Sequence, residues 1–151
     1  MYKIVKYEKK YEQEIVNLWI DICVKEHGYT SWEEDLKETH AEIYTLFLVL
    51  VHHGKVVGTM AYRPKNEKEK TTAEIKRVYL DKEHRGKGWA QKMFDMLIED
   101  IEKKGFEKIF IGTWNEFTSG IGFYKKNGFE LISSTEETQD FERVLKKPQE
   151  N

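Results

Sequence analysis

The segment Arg85-Gly86-Lys87-Gly88-Trp89-Ala90 consists of residue types that can bind a phosphate. It stands between a predicted strand and a strongly amphipathic predicted helix. Small residues let a backbone approach an anion closely, and the start of a helix offers unpaired N–H groups with a positive partial charge. The segment therefore predicts an anion-binding turn that a pyrophosphate would fit. A plain tight turn before a helix is the alternative that these residues alone leave open.

Two widespread phosphate-binding motifs do not match this turn. A Walker A loop requires a further glycine well before Gly86-Lys87, and Ser or Thr at the place of Gly88. The dinucleotide-binding fingerprint requires a spaced third glycine, which the segment does not have. A nucleotide-binding protein that uses the turn for phosphate is therefore a weaker alternative.

Two elements must position the turn. The helix after it has one apolar face, formed by Ala90, Met93, Phe94, Leu97, Ile98 and Ile101. The order of cations and glycine in Lys103-Lys104-Gly105 predicts where this helix ends. The strand before the turn, Ala73 to Leu80, changes phase between Ile75 and Val78, which predicts a β-bulge. An edge strand with two different faces is the other explanation of that pattern.

The hydrophobic periodicity elsewhere predicts further elements on both sides of this unit. The first is a strand at Tyr2 to Tyr7, and a helix follows that ends near His27 and Gly28 and has on one face Ile15, Leu18, Trp19, Ile22 and Cys23. A second helix opens at the capping box Ser31-Trp32-Glu33-Glu34 and has on one side Trp32, Leu36 and Ile43. The later elements are a hairpin of Leu46 to Val51 with Val56 to Tyr62, a strand at Glu107 to Thr113, a short helix at Ser119 to Lys126, and two strands at Phe129 to Ile132 and Phe141 to Leu145.

The composition limits the classes of protein. The chain has 151 residues, which suits a single domain over 1–151, and a formal net charge of −2, which gives no reason to expect nucleic acid as a partner. Cys23, the one cysteine, suits a buried small residue in a reducing compartment. Without a signal peptide or a run of ~18 apolar residues, we expect a cytoplasmic protein with no membrane partner. His52 and His53 point to opposite faces of a strand, so we expect no metal.

The chain resembles the GNAT superfamily of acetyl-CoA-dependent N-acetyltransferases. The pyrophosphate loop of that family has the form Arg/Gln-x-x-Gly-x-Gly/Ala, which Arg85, Gly88 and Ala90 match. Ala73 to Asp81 is similar to the bulged fourth strand of the family, and Phe123 to Phe129 resembles its later segment Tyr-x-x-x-Gly-Phe. The resemblance covers nearly the whole chain. It implies a three-layer α/β fold, with a central mixed, twisted sheet of about six to seven strands flanked by about four helices.

The resemblance also implies an activity. Acetyl-CoA would be the co-substrate and an amine the acceptor, with direct attack of the amine on the thioester in a ternary complex and no metal. The bulge would free the backbone of the strand to pair with the pantetheine arm of acetyl-CoA. The positions carried over for binding acetyl-CoA are Val78, Tyr79, Leu80, Arg85, Gly86, Lys87, Gly88, Trp89, Ala90, Asn115 and Tyr124.

Three side chains receive individual roles. Tyr124 matches the family's Tyr that protonates the departing thiolate, although a packing role for its ring is equally compatible. Glu74 is the leading candidate base, because the histone-modifying branch places a catalytic Glu in a similar Ala-Glu-Ile setting; a surface ion pair is the alternative, and His84 or a water chain are other routes. At the position of Phe117 the family commonly has an Asn that contacts the cofactor. Gly112-Thr113-Trp114-Asn115 resembles the Gly-Thr-x-Asn segment of one branch of the family, so the cofactor contact is assigned to Asn115.

Some alternatives stay open at this point. A GNAT-like module that binds acyl-CoA for regulation, without turnover, has the same loop requirements, and a comparison of acetyl-CoA with ATP binding separates both from a nucleotide-binding protein. The acceptor side of such a fold is built from the first two helices, their loop at His27 to Trp32 and the last strands. Neither the identity of the amine nor the choice between monomer and homodimer follows from the sequence.

Overall fold

The structure, a computed structural model, describes residues 1–28 and 36–145. Within them lie three α-helices: α1 (Glu12–Ile20), α2 (Trp89–Lys103) and α3 (Thr118–Lys126). The strands of the described residues are β1 (Tyr2–Lys6), β2 (Leu46–His52), β3 (Lys55–Pro64), β4 (Thr72–Leu80), β5 (Lys108–Trp114), β6 (Glu130–Ser134) and β7 (Thr138–Val144). A π-helical segment, Asp21–Glu26, continues α1.

The seven strands form one mixed sheet in the order β1-β2-β3-β4-β5-β7-β6. β4 and β5 are parallel, and Thr72 to Glu74 pair with Lys108 to Phe110. Parallel neighbours need a crossover connection, and the segment that contains α2 provides it. β2 and β3 are antiparallel, and between them His53 and Gly54 have φ angles of 50° and 75°, as a tight hairpin turn requires. The predicted α/β fold with a mixed sheet of six to seven strands is confirmed.

The chain divides into two compact units, and the division falls within β4. The first comprises Met1–Arg63 and Lys76–Glu99, and the second comprises Pro64–Ile75 and Asp100–Asn151. The core of the first includes the fully buried Trp19, whose ring stacks on Phe47 at 6.1 Å. The core of the second includes Tyr124 and Phe141, with ring centroids 6.3 Å apart. A single domain over 1–151 stays a prediction.

The predicted first helix is present, but its last part has a different geometry. The chain is α-helical to Ile20 and π-helical from Asp21 to Glu26, and Gly28, with φ of 76°, follows where glycine was expected to end the helix. Single π-helical turns inside helices often accompany functional sites. The residues of the π-helical segment therefore become candidates for contacts with the site.

The predicted second helix is wrong for the part of it that the structure describes. Its capping box, Ser31 to Glu34, lies outside the described residues, and between Leu36 and Ile43 only a 3₁₀ turn at Ala41–Ile43 is helical. His40 has a left-handed φ of 53°, which interrupts a helix. Just before it, the backbone N–H of Thr39 donates to the carboxylate of Glu12 on α1 at 2.9 Å, instead of to a carbonyl within a helix.

The predicted apolar face of the first helix is buried, and so is that of α2 apart from the half-buried Ala90, whereas Ile43 of the predicted second helix is exposed. On α2 the buried side chains are those of Met93, Phe94, Leu97, Ile98 and Ile101. Cys23 is a fully buried free thiol, and burial raises the pKa of that thiol, in agreement with its predicted role as a small apolar residue. None of the helices in the described ranges has the length and apolarity that a membrane crossing demands.

Gly58 of β3 allows a close approach of the end of β4. A Cβ built at this position would lie 3.0 Å from Cδ1 of Leu80 and 3.2 Å from the carbonyl oxygen of Tyr79. A flexible side chain can move away from such a contact, but a backbone carbonyl in a strand moves only together with its neighbours. The absence of a side chain at Gly58 therefore helps to fix the position of Tyr79 and Leu80.

We expect Gly58→Ala to lower the free energy of unfolding by about 1–3 kcal/mol, because the added methyl group overpacks the contact with β4. Gly122→Ala in α3 is a matched control. A Cβ at Gly122 meets no atom within 4 Å, so this variant should gain about 0.5–1 kcal/mol from the better helix propensity of alanine. Urea unfolding monitored by circular dichroism measures both changes. A Gly58→Ala protein as stable as the wild type would contradict the close approach.

Candidate active site

The turn before α2 has the backbone conformation that its glycines predicted. Gly86 and Gly88 have φ angles of 76° and 86°, in the left-handed region that favours glycine. A Cβ at either position would meet no protein atom within 4 Å, so packing does not explain the glycines. The N–H of Lys92 donates to the carbonyl of Gly88 at 3.2 Å and closes the first turn of the helix. The helix thus begins at the open side of the turn, where its first N–H groups have no partner within the helix.

β4 is irregular where the sequence predicted a bulge. Arg77 has a left-handed φ of 60° within the strand. The hydroxyl of Thr59 donates to the carbonyl of Arg77 at 2.8 Å, and the indole N–H of Trp19 donates to that hydroxyl at 2.9 Å. Val78, Tyr79 and Leu80 follow and are half-buried. The three predicted cofactor-binding positions of the strand therefore stand directly after the irregular residue.

The guanidinium of Arg85 is held by groups that lie outside the turn. Its Nε donates to the carbonyl of Leu80 at 2.8 Å. Its Nη1 and Nη2 donate to the two carboxylate oxygens of Glu26 at 3.0 and 2.9 Å, a bidentate ion pair. The hydrogen bonds from Arg85 hold the pKa of Glu26 below its usual range. The guanidinium thus ties the turn to the end of β4 and to the π-helical segment.

Glu26 is a residue of the site that the sequence analysis missed. It lies 59 positions before Arg85 in the chain, and no spacing rule connects two residues so far apart. No signal in the sequence singles it out, since its place in the π-helical segment is itself a feature of the folded chain. The pairing became visible only in the folded chain.

Trp89 and His84 on either side of the turn belong to an aromatic cluster with Tyr2 and His52. The Trp89 ring lies 4.7 Å from that of Tyr2, and Tyr2 stacks on His52 at 4.0 Å. His84 Nδ1 and the hydroxyl of Tyr2 share a hydrogen bond of 2.7 Å. One nitrogen of His84 is therefore already engaged, and the other, Nε2, lies 3.9 Å from a carboxylate oxygen of Asp81. Lys87 and the two glycines between these rings are exposed.

Asp81, Glu83 and His84 could each offer one ligand atom to a metal ion, with these atoms within 4.8 Å of one another. Asp81 is partly exposed and Glu83 exposed. His84 already contacts Tyr2 through Nδ1. Exposed acidic groups of this kind are common without an ion. The proximity of these three side chains therefore does not by itself indicate a metal site.

Tyr124 belongs to the buried core of the second unit. It is buried beside Phe123, Phe129 and Phe141, with ring centroids 6.0, 6.2 and 6.3 Å away. A Cβ at Gly120, one helical turn earlier, would lie 3.9 Å from the Tyr124 hydroxyl oxygen. Burial raises the pKa of Tyr124 well above its usual value, so the hydroxyl is protonated at neutral pH.

The segment after Tyr124 forms the helix stop that its sequence predicted. Gly128 has a φ of 87°, and the N–H of Phe129 donates to the carbonyl of Tyr124 at 3.1 Å. The Asn127 side chain donates to the carbonyl of Phe123 at 2.9 Å. The Tyr-x-x-x-Gly-Phe pattern thus has a physical basis, because the left-handed glycine returns Phe129 to the ring of Tyr124.

Asn115 and Glu74 also lie in the second unit. The Asn115 amide donates to the carbonyl of Glu136 at 2.9 Å and accepts from the amide of Gln139 at 3.0 Å, so it fastens the end of β5 to the β6–β7 turn. A cofactor contact by Asn115 stays a prediction. Glu74 is half-buried in the part of β4 that pairs with β5, opposite Phe110.

The sequence profile of the acetyltransferase (GNAT) family matches residues 11–129, which include β4, the turn, α2 and Tyr124. The chain belongs to this family. An uncharacterized N-acetyltransferase of Escherichia coli strain K12, YjgM, is 29% identical over 109 residues, which cover 70% of this chain and 65% of that protein. The chain thus matches slightly less than two thirds of the length of this relative.

Solved structures have the same fold. A GNAT-family acetyltransferase from Staphylococcus aureus Mu50 superposes with a TM-score of 0.83 at 21% identity, over 97% of this chain and 100% of that chain. The PaiA N-acetyltransferase from Thermoplasma acidophilum, in complex with coenzyme A, superposes with a TM-score of 0.76 at 17% identity, over 96% of this chain and 99% of that chain. At such identities the likeness establishes the fold.

Proposed function

We propose that the protein is an N-acetyltransferase that transfers the acetyl group of acetyl-CoA to an amine by direct attack in a ternary complex. The observation that carries this proposal is the turn before α2, where Gly86 and Gly88 hold a left-handed backbone beside the start of a helix. Membership of the GNAT family supports it. So does the PaiA N-acetyltransferase of Thermoplasma acidophilum, whose structure contains coenzyme A.

In this proposal the backbone N–H groups from Gly86 to Ala90 bind the pyrophosphate of acetyl-CoA, and the exposed Lys87 adds a positive charge. The backbone of Val78 to Leu80 pairs with the amide groups of the pantetheine arm. Arg85 acts as a positioning residue, because Glu26 and the Leu80 carbonyl hold its guanidinium. Trp89 contributes through the N–H at the helix start, since its ring packs on Tyr2.

The proposed chemistry needs two proton transfers. The amine nitrogen attacks the carbonyl carbon of the thioester and loses a proton to a base, for which Glu74 is the leading candidate and a water chain the alternative. The carbon–sulfur bond then breaks, its electron pair goes to sulfur, and Tyr124 supplies the proton that completes the thiol. Backbone N–H groups polarise the carbonyl oxygen during the attack.

The burial of Tyr124 affects this last step in two ways. The raised pKa keeps the proton on the hydroxyl at neutral pH, but it also makes complete transfer to sulfur less favourable, since an unperturbed thiol has a pKa of about 8.5. The same apolar surroundings strengthen a hydrogen bond to a developing thiolate. We therefore propose that Tyr124 stabilises the leaving group by a hydrogen bond along which the proton moves.

An acetyl-CoA consumption assay over polyamines, amino acids, aminoglycosides and peptide N-termini tests the activity directly. Calorimetry with acetyl-CoA and with ATP accompanies it. Binding of acetyl-CoA with turnover of at least one amine is the expected outcome. Binding without turnover of any amine would favour an acyl-CoA-binding regulatory module, and binding of ATP alone would favour a nucleotide-binding protein.

We expect Gly88→Val to abolish or sharply weaken acetyl-CoA binding, because a β-branched residue cannot adopt a φ of 86° without strain and its side chain would occupy the open side of the turn. Gly105→Val is the matched control. Gly105 follows α2 with a φ of 82°, and a Cβ there also meets no atom within 4 Å. Calorimetry gives the two affinities, and circular dichroism confirms folding. Unchanged affinity in a folded Gly88→Val protein would refute the assignment of the turn.

We expect Glu74→Gln to remove the rise of kcat/KM with pH that deprotonation of a catalytic base produces, because an amide cannot accept the proton of the amine. Glu130→Gln on β6, an exposed residue, is the control for the loss of one carboxylate. The pH–rate profiles of the three proteins are the measurement. If the profile of Glu74→Gln coincides with that of the wild type, another group or water is the base.

We expect Tyr124→Phe to lower kcat by roughly 10²- to 10⁴-fold while the affinity for acetyl-CoA stays nearly constant, since the change keeps the ring and removes only the hydroxyl proton. Tyr11→Phe, at a half-buried position before α1, loses the same group elsewhere. Steady-state rates and calorimetry are compared under conditions where chemistry limits the rate. A near-normal kcat would remove Tyr124 from the mechanism and leave water as the proton source.

A further inference from the structure

β6 is an edge strand of the sheet and is exposed along its whole length. All five of its residues, Glu130 to Ser134, are exposed. β6 stands at one end of the strand order, and within the described residues no strand pairs with its outer side. The backbone N–H and C=O groups of such an edge are a template for a strand from another chain.

Two large apolar side chains lie on this edge strand. Leu131 and Ile132 are each 51% exposed. Together with Val144 on the neighbouring β7, they are three of the six exposed large apolar side chains that the described residues contain. Natural edge strands are often protected by Lys or Pro, and β6 has neither. Covering the edge would therefore remove apolar surface from water without burying a cation of the strand.

A β-bulge limits the length over which β6 can pair. Leu131 is opposite Phe141 and Ser133 is opposite Asp140, so Ile132 is the extra residue between two pairs. A bulge bends its strand and increases the local twist, so the outer edge does not suit a long, flat strand. The edge suits a short pairing that ends after a few residues, as in a closed dimer.

The two ends of β6 are flanked by opposite charges. Before its start, the last turn of α3 contains Lys125 and Lys126, and beyond its end, the β6–β7 turn contains Glu136 and Glu137. All four residues are exposed. Glu130, the first residue of the strand, reduces the positive charge of the basic end without cancelling it. When two such strands pair antiparallel, the basic end of one copy meets the acidic end of the other.

We propose that the outer edge of β6 is the interface of a homodimer, in which the β6 strands of two copies pair antiparallel about a two-fold axis near Ile132. Such an interface is isologous, because each copy contributes the same apolar centre and the same two charged ends. The charges select the antiparallel direction, since a parallel pairing would place lysines beside lysines and glutamates beside glutamates. This inference does not depend on the proposed function.

The size of the edge sets the expected affinity. A strand of five residues on each side covers less surface than the roughly 1,200–2,000 Å² of a standard interface between proteins. Exposed ion pairs at its ends add more to the choice of partner than to affinity. We therefore expect a dimer in rapid equilibrium with the monomer, with a dissociation constant of about 1–100 µM.

Sedimentation velocity of the full chain, at concentrations from about 1 to 500 µM, tests the association. We expect a monomer–dimer equilibrium without larger species. A monomer at every concentration would overturn the inference and would leave the edge to a partner other than this chain. Species that grow beyond a dimer would refute the two-fold arrangement.

Ile132→Lys places a cation at the centre of the edge, where the two copies would bring like charges together. It should raise the dissociation constant of the dimer at least ~10-fold. Met96→Lys, at an exposed apolar position of α2, is the matched control and should leave the dissociation constant unchanged. Circular dichroism confirms that both variants are folded. An unchanged dissociation constant in Ile132→Lys would mean that the dimer uses another surface, and the inference would fail.

Two charge-reversed variants test the antiparallel direction. The acidic variant, Lys125→Glu with Lys126→Glu, has glutamates at both ends of the edge, and the basic variant, Glu136→Lys with Glu137→Lys, has lysines at both ends. Each alone should have a dissociation constant at least ~10-fold above that of the wild type, because like charges then meet at both ends. An equimolar mixture should form the dimer again, since opposite charges meet at both ends.

Lys68→Glu with Lys70→Glu controls for net charge. It changes the charge of the chain as much as the acidic variant does, but in the exposed loop between β3 and β4. This control should dimerise like the wild type and should show no preference for the basic variant. If the two charge-reversed variants dimerise alone as the wild type does, or if their mixture stays monomeric, the antiparallel β6 interface is refuted.

Discussion

The hydrogen bond from Thr59 to the carbonyl of Arg77 is the contact on which the arrangement of β4 depends. A left-handed residue inside a strand costs on the order of 1–3 kcal/mol and needs external support. Trp19 supplies it by donating its buried indole N–H to Thr59, so the core of the first unit maintains the irregular backbone. Without this support, regular alternation would place Val78 and Leu80 in the same phase as Lys76.

The segment Val78 to Leu80 is fastened at both ends. At its start, Arg77 is held by Thr59, and at its end, the carbonyl of Leu80 accepts from Arg85, which Glu26 holds in turn. Gly58 admits this segment close to β3 because it has no side chain. A short piece of strand and the turn that follows it thus form one rigid element, and preorganised backbone groups bind a ligand without a large ordering cost.

The elements that the sequence predicted well have a strong local signal. α2 shows a regular apolar face and a glycine stop, and the β2–β3 hairpin has glycine in its turn. The prediction of the second helix was wrong because it used only neighbouring residues, whereas a distant contact decides the backbone there. The N–H of Thr39 donates to the carboxylate of Glu12, and His40 has a left-handed φ. A partner 27 residues away leaves no trace in a hydrophobic pattern.

The sequence by itself determined the turn before α2, the bulge in β4 and the glycine stop after Tyr124, because a left-handed backbone and a change of phase are properties of single residues and their neighbours. Only the tertiary structure decided what the side chains of these segments contact. The partners of Arg85, Arg77 and Asn115 lie far away in the chain, so chain folding alone brings Glu26, Trp19 and Gln139 to them. A specific hydrogen bond requires a donor–acceptor distance that is correct to within a few tenths of an ångström. Residue types and their spacing along the chain do not encode such distances between remote segments.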